Sequence, residues 1–356
     1  MSAALIDRPK PPRDDDRLDV PAVAAWLAEH IPGLTGTPRV HQYRGGASNL
    51  TYLLEWPDRE MILRRPPFGT KARSAHDMGR EVRFLTALRP HYPALPEVYA
   101  HCTDPEVAGG EFYVMERIRG IILRQDLPPE LGLDAAQTRR LCEAVLTKLV
   151  ELHRVDVEAH GLTHLGKGAG YGRRQIEGWS RRYRAALTPG AADGERVMAW
   201  LAGHMPPDRA TCVIHGDFRF DNVVLDPADP MRIIGVLDWE MATLGDPLMD
   251  LGNSLAYWVQ ADDDAVMQLT RRQPTNAPGM LTRAEVWRFY GEATGLDVSD
   301  TDFYEVYGLF RLAVIVQQIF YRYHHGQTTN PAFMGFGELA KVLDARCQAM
   351  LDRRGA

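Results

Sequence analysis

Asp217, Arg219, Asn222 and Asp238 are the residues whose types and spacing bear most directly on chemistry. The first three lie in His215-Gly216-Asp217-Phe218-Arg219-Phe220-Asp221-Asn222, and the fourth follows the run Arg232-Ile233-Ile234-Gly235-Val236-Leu237. A carboxylate such as Asp217 can orient a hydroxyl and take its proton, and an arginine two places on can neutralise developing negative charge. The oxygens of Asn222 and Asp238 are the hard donors that Mg²⁺ prefers. Together these are the parts needed to move a phosphoryl group from a nucleotide to a hydroxyl. The local pattern explains how they could assemble. Asn222 to Leu225 reads as a short strand, Asp226-Pro227-Ala228-Asp229-Pro230 as a turn, and Arg232 to Leu237 as a returning strand. Such a hairpin is expected to bring Asp238 back beside the loop.

Asp217, Arg219 and Asn222 also fall at the separations of the protein-kinase catalytic loop. The order His-Gly-Asp-x-x-x-x-Asn, then Ile234-Gly235-Val236-Leu237-Asp238-Trp239-Glu240, then Gly245-Asp246-Pro247-x-x-Asp250-Leu251 resembles the aminoglycoside phosphotransferase and choline kinase superfamily. These are small-molecule kinases with a protein-kinase-like fold. Gly45-Gly46-Ala47-Ser48-Asn49, Leu63-Arg64-Arg65-Pro66-Pro67, Ala75-His76-Asp77-Met78-x-Arg80-Glu81, Arg174-Gln175-Ile176-x-x-Trp179-Ser180 and Leu237-Asp238-Trp239-Glu240-Met241 carry a narrower similarity. They resemble the phosphotransferase domain at the front of eukaryotic acyl-CoA dehydrogenase family members 10 and 11, and its stand-alone bacterial relatives. The similarity runs from Val40 to Met350.

The resemblance implies ATP and Mg²⁺ as cofactors, Asp217 and Arg219 as the catalytic pair, and Asn222 and Asp238 as metal ligands. It implies that the Gly45-Gly46 loop, with Ser48 and Asn49, covers the nucleotide phosphates. This loop leads into another strand and not into a helix, which sets it apart from dinucleotide and Walker-type loops. The family's third-strand lysine is replaced here by Arg64, with Arg65 beside it, and strand parity decides which of the two serves. Arginine keeps the charge but has a larger, planar head. Glu81 is the expected partner of that cation. Backbone groups at Glu116 and Ile118, after the apolar strand Phe112 to Glu116, are expected to meet the adenine edge. His215 and His153 read as structural, Asp250 as the acceptor of loop N–H groups, and Asp246 as a turn cap.

The fold class expected is α+β, two-lobed and protein-kinase-like, with an antiparallel-sheet N-lobe and a mainly helical C-lobe. Residues 1–17, with Pro9, Pro11, Pro12 and Asp14-Asp15-Asp16, lack periodicity and read as a disordered tail. Residues 18–116 read as the nucleotide-binding lobe and 117–356 as the helical lobe with the catalytic loop and acceptor pocket. Asp19 with Pro21 can start a helix whose buried face is Val23, Trp26, Leu27 and Ile31. Antiparallel strands are expected near 40–43, 50–56 and 61–63. Long apolar helical spacing follows at Leu141, Val145, Leu149 and Leu152, and again at Leu309, Leu312, Val316 and Ile319.

A chain of 356 residues, 45% hydrophobic and 25% charged, can bury a large core. Its four cysteines are far apart with no metal-type cluster, which indicates a reducing compartment, and the cytoplasm is the expected location. No window approaches the roughly 18 apolar residues needed to span a bilayer. A net charge of −6 argues against nucleic acid as the main partner. Within 172–187, Arg173, Arg174, Arg181, Arg182 and Arg184 flank Trp179 and Tyr183. Two readings of this segment stand: a solvated basic helix, or a wall that favours an anionic acceptor such as an acyl-CoA. The resulting expectation is a small-molecule kinase acting on a hydroxyl, with a hydroxyacyl-CoA as preferred acceptor. The alternative is a catalytically weak, pseudokinase-like nucleotide-binding regulatory protein, motivated by Arg64.

Overall fold

A computed structural model describes residues 5–7, 9–43, 49–67 and 77–355. The chain divides into two compact units. The first comprises residues 1–123, 127–132 and 220–242, and the second comprises 124–126, 133–219 and 243–356.

The first unit is built on a five-stranded antiparallel sheet. Its strands are β1 (Arg39–Tyr43), β2 (Leu50–Glu55), β3 (Glu60–Arg65), β4 (Val98–Cys102) and β5 (Phe112–Glu116), in the order β1-β2-β3-β5-β4. Helices α1 (Val20–His30), α2 (Met78–Leu88) and the single turn α3 (Pro105–Ala108) accompany it. Alternation sorts the side chains. Tyr52, Leu54, Met61, Leu63, Phe112 and Val114 share one face and form an apolar core with Val23 and Leu27 of α1. The intervening residues, Arg64 and its cross-strand partner Tyr113 among them, belong to the other face. Asp19 caps α1 by accepting from the Ala22 amide at 3.1 Å, as its sequence suggests, and Asp77 caps α2 through the Arg80 amide at 2.8 Å.

The segment expected as a disordered tail is partly docked. Lys10 and Gln42 exchange backbone hydrogen bonds of 2.9 and 2.6 Å, the Tyr52 hydroxyl donates to the Asp16 carbonyl at 2.6 Å, and Gln42 Nε2 donates to Asp16 Oδ2 at 2.8 Å. Polar contacts of this kind have no periodicity to betray them.

The second unit contains α4 (Ala135–His153), α5 (Tyr171–Ala185), α6 (Glu195–Gly203), and the short strand β6 (Cys212–Ile214) just before the Asp217 loop. The chain then passes through the first unit's hairpin, β7 (Val223–Leu225) and β8 (Ile233–Val236). It returns with β9 (Thr243–Gly245), which pairs antiparallel with β6, and continues through α7 (Pro247–Ala256), α8 (Ala265–Thr270), α9 (Arg283–Thr294), α10 (Asp302–His324) and α11 (Phe336–Arg353). Helix α10 is the axis of this unit and packs on α5, α6, α7 and α11. Its contact with α7 is backbone on backbone. A Cβ on Gly308 would collide with the Gly252 carbonyl, and a Cβ on Gly252 with the Tyr304 carbonyl. This close approach fixes Asp250, two residues before Gly252, and Arg311, one turn after Gly308.

Candidate active site

Within the sheet unit the site is organised around Arg64. Strand parity puts this side chain on the face of Tyr113, where it is buried. Its Nη1 lies 3.2 Å from Glu81 Oε1 on the first turn of α2. Its Nη2 lies 3.0 Å from Asp238 Oδ1 and 3.5 Å from Glu240 Oε2. Burial works against the Arg64 cation, but Glu81, Tyr113, Asp238 and Glu240 outweigh it and hold its pKa above the ordinary arginine value. One cation therefore faces three carboxylates. Asn49, just before β2, donates to Glu240 Oε2 at 2.9 Å, and Arg80 ties down the same turn by donating to the Glu240 and Ala242 carbonyls. Arg65 goes the opposite way, donating to the Ala108, Gly109 and Pro66 carbonyls. The parity question thus resolves to Arg64 on the carboxylate side.

The β7–β8 hairpin accounts for the placing of Asn222 and Asp238. The Leu237 amide donates to the Asn222 carbonyl at 2.8 Å, which draws the two ends of the hairpin together. Asp238 adopts φ 68°, ψ 62°, the sole positive φ outside glycine among the described residues. Aspartate tolerates this left-handed conformation at modest cost, and such strain gathers where a side chain must be aimed. Trp239 anchors the following turn, its Nε1 donating to the Val236 carbonyl at 2.8 Å and its ring meeting Tyr92 edge-on at 6.0 Å. Asn222 and Asp238 offer one amide and one carboxylate oxygen set. No group of three or more His, Cys, Asp or Glu spaced for a metal occurs among the described residues. A donor pair of this kind suits Mg²⁺, which commonly takes one or two protein ligands and completes its shell with phosphate and water.

Glu116 and Ile118 sit at the exit of β5. The Glu116 amide is taken by the Glu97 carbonyl at 2.8 Å, and its carboxylate lies 3.5 Å from Arg89. Ile118 lies against Gly235, where an added Cβ would come within 2.7 Å of its side chain. Gly45, Gly46 and Ser48 lie outside the described residues.

Within the helical unit the loop holding Asp217 is gripped from two sides. Asp250, fully buried in the first turn of α7, accepts from the His215 amide at 2.9 Å and the Gly216 amide at 2.8 Å. His153 Nε2 lies 3.1 Å from the same carboxylate, and its Nδ1 lies 2.6 Å from the Tyr290 hydroxyl. Burial pushes the Asp250 carboxyl up, but the hydrogen bond and charge of His153, with His215 nearby, outweigh it and hold the carboxyl below its usual range. Gly216 turns with φ 80°, a conformation suited to glycine. Its carbonyl accepts from Arg311 Nη2 at 2.8 Å. Asp217 follows, 3.2 Å from Arg219 Nη2, and the Arg219 guanidinium lies 4.6 Å over the Tyr257 ring. Asp246 caps α7 through the Leu248 and Met249 amides.

Structure thus gathers Arg64, Glu81, Asp238 and Asn49 in one unit, and Asp217 with Arg219 in the other. Three participants escaped the sequence reading: Glu240, Tyr257 and Arg311. Arg311 did leave a signal, a lone arginine inside the apolar run Leu309-Phe310-Arg311-Leu312-Ala313-Val314. A buried charge at such a position requires a polar partner.

Over residues 39–286 the chain matches the family model described as the phosphotransferase enzyme family. Acyl-CoA dehydrogenase family member 10 of Mus musculus is 34% identical over 324 residues, covering 89% of this chain and 30% of that protein. Family member 11 of Gallus gallus is 32% identical over 341 residues, covering 93% of this chain and 43% of that protein. The chain therefore spans less than half the length of these relatives. A crystal structure from Ralstonia eutropha JMP134, assigned as an aminoglycoside phosphotransferase, is 30% identical with a TM-score of 0.79, covering 95% of this chain and 99% of that one. The GDP complex of aminoglycoside 2'-phosphotransferase-IIIa is 16% identical with a TM-score of 0.61, covering 92% and 99%, and has the same kinase-like fold.

Proposed function

The chain belongs to the phosphotransferase enzyme family, and from that premise we propose that it is an ATP- and Mg²⁺-dependent kinase that phosphorylates an alcohol group on a small molecule. The observation that carries this reading is the grip on the Gly216 turn, amide side by Asp250 and carbonyl side by Arg311, with Asp217 next in line beside Arg219. Catalysis of phosphoryl transfer is mainly positioning and charge stabilisation, and a doubly held loop answers the first need. Asp217 accepts the proton of the acceptor hydroxyl while that oxygen forms its bond to the γ-phosphorus. The bond from phosphorus to the bridging oxygen breaks, and ADP leaves with the electron pair. Arg219 faces the charge on the transferred group. Asn222 and Asp238 would hold Mg²⁺, whose chemistry is to neutralise the phosphates. Arg64, braced by Glu81, takes the lysine's place toward the nucleotide, with the Gly45, Gly46, Ser48 and Asn49 segment over the phosphates and the backbone at Glu116 and Ile118 toward the adenine.

For the acceptor we propose a hydroxyacyl-CoA. The similarity to acyl-CoA dehydrogenase family members supports an acyl-CoA-like molecule, and the arginines of α5 support an anionic one. Among the described residues no helix is long and apolar enough to cross a membrane. The four cysteines are free and buried, which supports a reducing, cytoplasmic setting.

A second reading draws on Arg64 itself. Its donors face Glu81, Asp238 and Glu240, an arrangement that also suits a nucleotide-binding protein with weak catalysis. Mass spectrometry of Mg-ATP incubations with 3- and 4-hydroxyacyl-CoAs, choline, sugars and an aminoglycoside separates the two. One acceptor gaining a phosphate supports the kinase, and Mg²⁺-dependent nucleotide binding with no phosphorylated product from any acceptor supports the second reading.

A further inference from the structure

Helix α5 carries a charge surplus that its neighbours do not neutralise. Between Tyr171 and Ala185 it has five arginines and a single acid, Glu177. Arg184 pairs with Glu195 at 2.7 Å, and Arg174 donates to the Gly168 and Ala169 carbonyls. Arg173, Arg181 and Arg182 have no carboxylate partner among the described residues. Arg182 is nonetheless held in place. Its guanidinium carbon lies over the Trp179 ring, 3.8 Å from the centroid, and Trp179 is itself buried and tied to Gln175 at 3.1 Å. The Arg311 guanidinium lies 5.3 Å from the same ring. Partial desolvation, with Arg311 and Arg181 close by and only Tyr307 opposing them, pushes the Arg182 pKa below its ordinary value.

A guanidinium held over a ring by its cationic carbon keeps its N–H groups for other partners. Those groups form a planar fork matched to two oxygens of a phosphate, and because the ring already fixes the guanidinium, little freedom is lost when it binds. Trp179 also links this fork to the catalytic loop, since Arg311 on the same ring holds the Gly216 carbonyl beside Asp217.

We propose that Arg182, seated on Trp179 with Arg181 next to it, is the subsite for a phosphate group of the acceptor, so that the acceptor is a hydroxyl carried on a phosphorylated, coenzyme-A-type molecule. This rests on the kinase reading given above. The subsite discriminates by charge: acceptors without phosphate lose the Arg182 contact, and polycationic ones meet repulsion.

The test is a calorimetric titration of coenzyme A into the full chain already saturated with Mg²⁺ and a non-hydrolysable ATP analogue, which keeps the adenine of coenzyme A out of the nucleotide site. Arg182→Gln and Arg181→Gln/Arg182→Gln are compared with wild type, with phosphate-free pantetheine and inorganic phosphate as further probes. Both arginines are exposed, so the variants should melt like wild type. The expected result is a loss of about ten-fold in coenzyme A affinity for the single variant and more for the double, because charge-assisted bonds to phosphate are removed. Pantetheine binding should not change. Equal coenzyme A affinity in wild type and double variant overturns the subsite. Inorganic phosphate binding as tightly as coenzyme A, with the same Arg182 dependence, overturns the coenzyme carrier. Because binding needs no turnover, Arg182-dependent coenzyme A binding together with no phosphorylated product in the Mg-ATP incubations described above would count against the kinase reading and leave the phosphate subsite standing.

Discussion

Asp250 and Arg311 each place a full charge in the interior to hold one glycine turn. Asp250 is fully buried and receives two loop amides and His153. Its folded pKa lies below its unfolded value of about 3.9. The stability it contributes is therefore fully present above that value and is lost as pH falls through the folded pKa. Asp250→Asn should cost about 3 kcal/mol at neutral pH, as for a broken buried pair. The gap to wild type should close as the pH drops below about 4. Urea denaturation across pH 2.5 to 7 checks this; a constant gap would remove the charge from the explanation. Arg311→Met should lower kcat up to about a hundred-fold, the scale of a small misplacement at the chemistry, with nucleotide KM within about two-fold. Arg311→Lys keeps the charge and a donor and should recover part of the loss. A shift in KM alone would mean that Arg311 acts on binding and not on the loop.

Strand parity is the decisive feature among the elements. On β3 the adjacent residues Arg64, facing three carboxylates, and Arg65, holding the Ala108 and Gly109 carbonyls, lie on opposite faces. Arg64→Ala should weaken nucleotide binding and also destabilise the fold by about 3 kcal/mol, because Glu81, Asp238 and Glu240 lose their cation. Arg64→Ala/Glu81→Ala should regain part of that stability, a coupling that a double-mutant cycle measures. Arg65→Met should cost stability but leave nucleotide affinity intact, and a large affinity loss there would reverse the parity assignment. These strands were legible from the alternation of Tyr52, Leu54 and Trp56, and the β7–β8 hairpin from its proline-aspartate turn, because period-two patterns and turn residues are local signals. The Arg64–Asp238 and Arg311–Gly216 contacts span sequence separations of 174 and 95 residues, and no local pattern encodes such pairs. The docked residues near Lys10 and Asp16 were missed because they use polar atoms without periodicity. The same limit hid the Gly252–Gly308 approach that sets α7 against α10, since an isolated helical glycine does not disclose its neighbour.

For the whole molecule, the two-ligand donor set of Asn222 and Asp238 predicts that Mg²⁺ and nucleotide bind cooperatively. Mg²⁺ alone should barely move the melting temperature. Mg-ATP at a hundred times its Kd should stabilise the fold by about 2.7 kcal/mol, and ATP with a chelator by clearly less. An equal shift with chelator present would contradict a role for the metal in nucleotide binding. The measurement that bears most directly on the central claim is a paired determination of turnover and ATP affinity in wild type and Asp217→Asn, using the best acceptor from the panel. If Asp217 is the base, turnover falls by roughly 10²- to 10⁴-fold while nucleotide affinity stays within about two-fold. Equal turnover in the two proteins would contradict the mechanism at its centre.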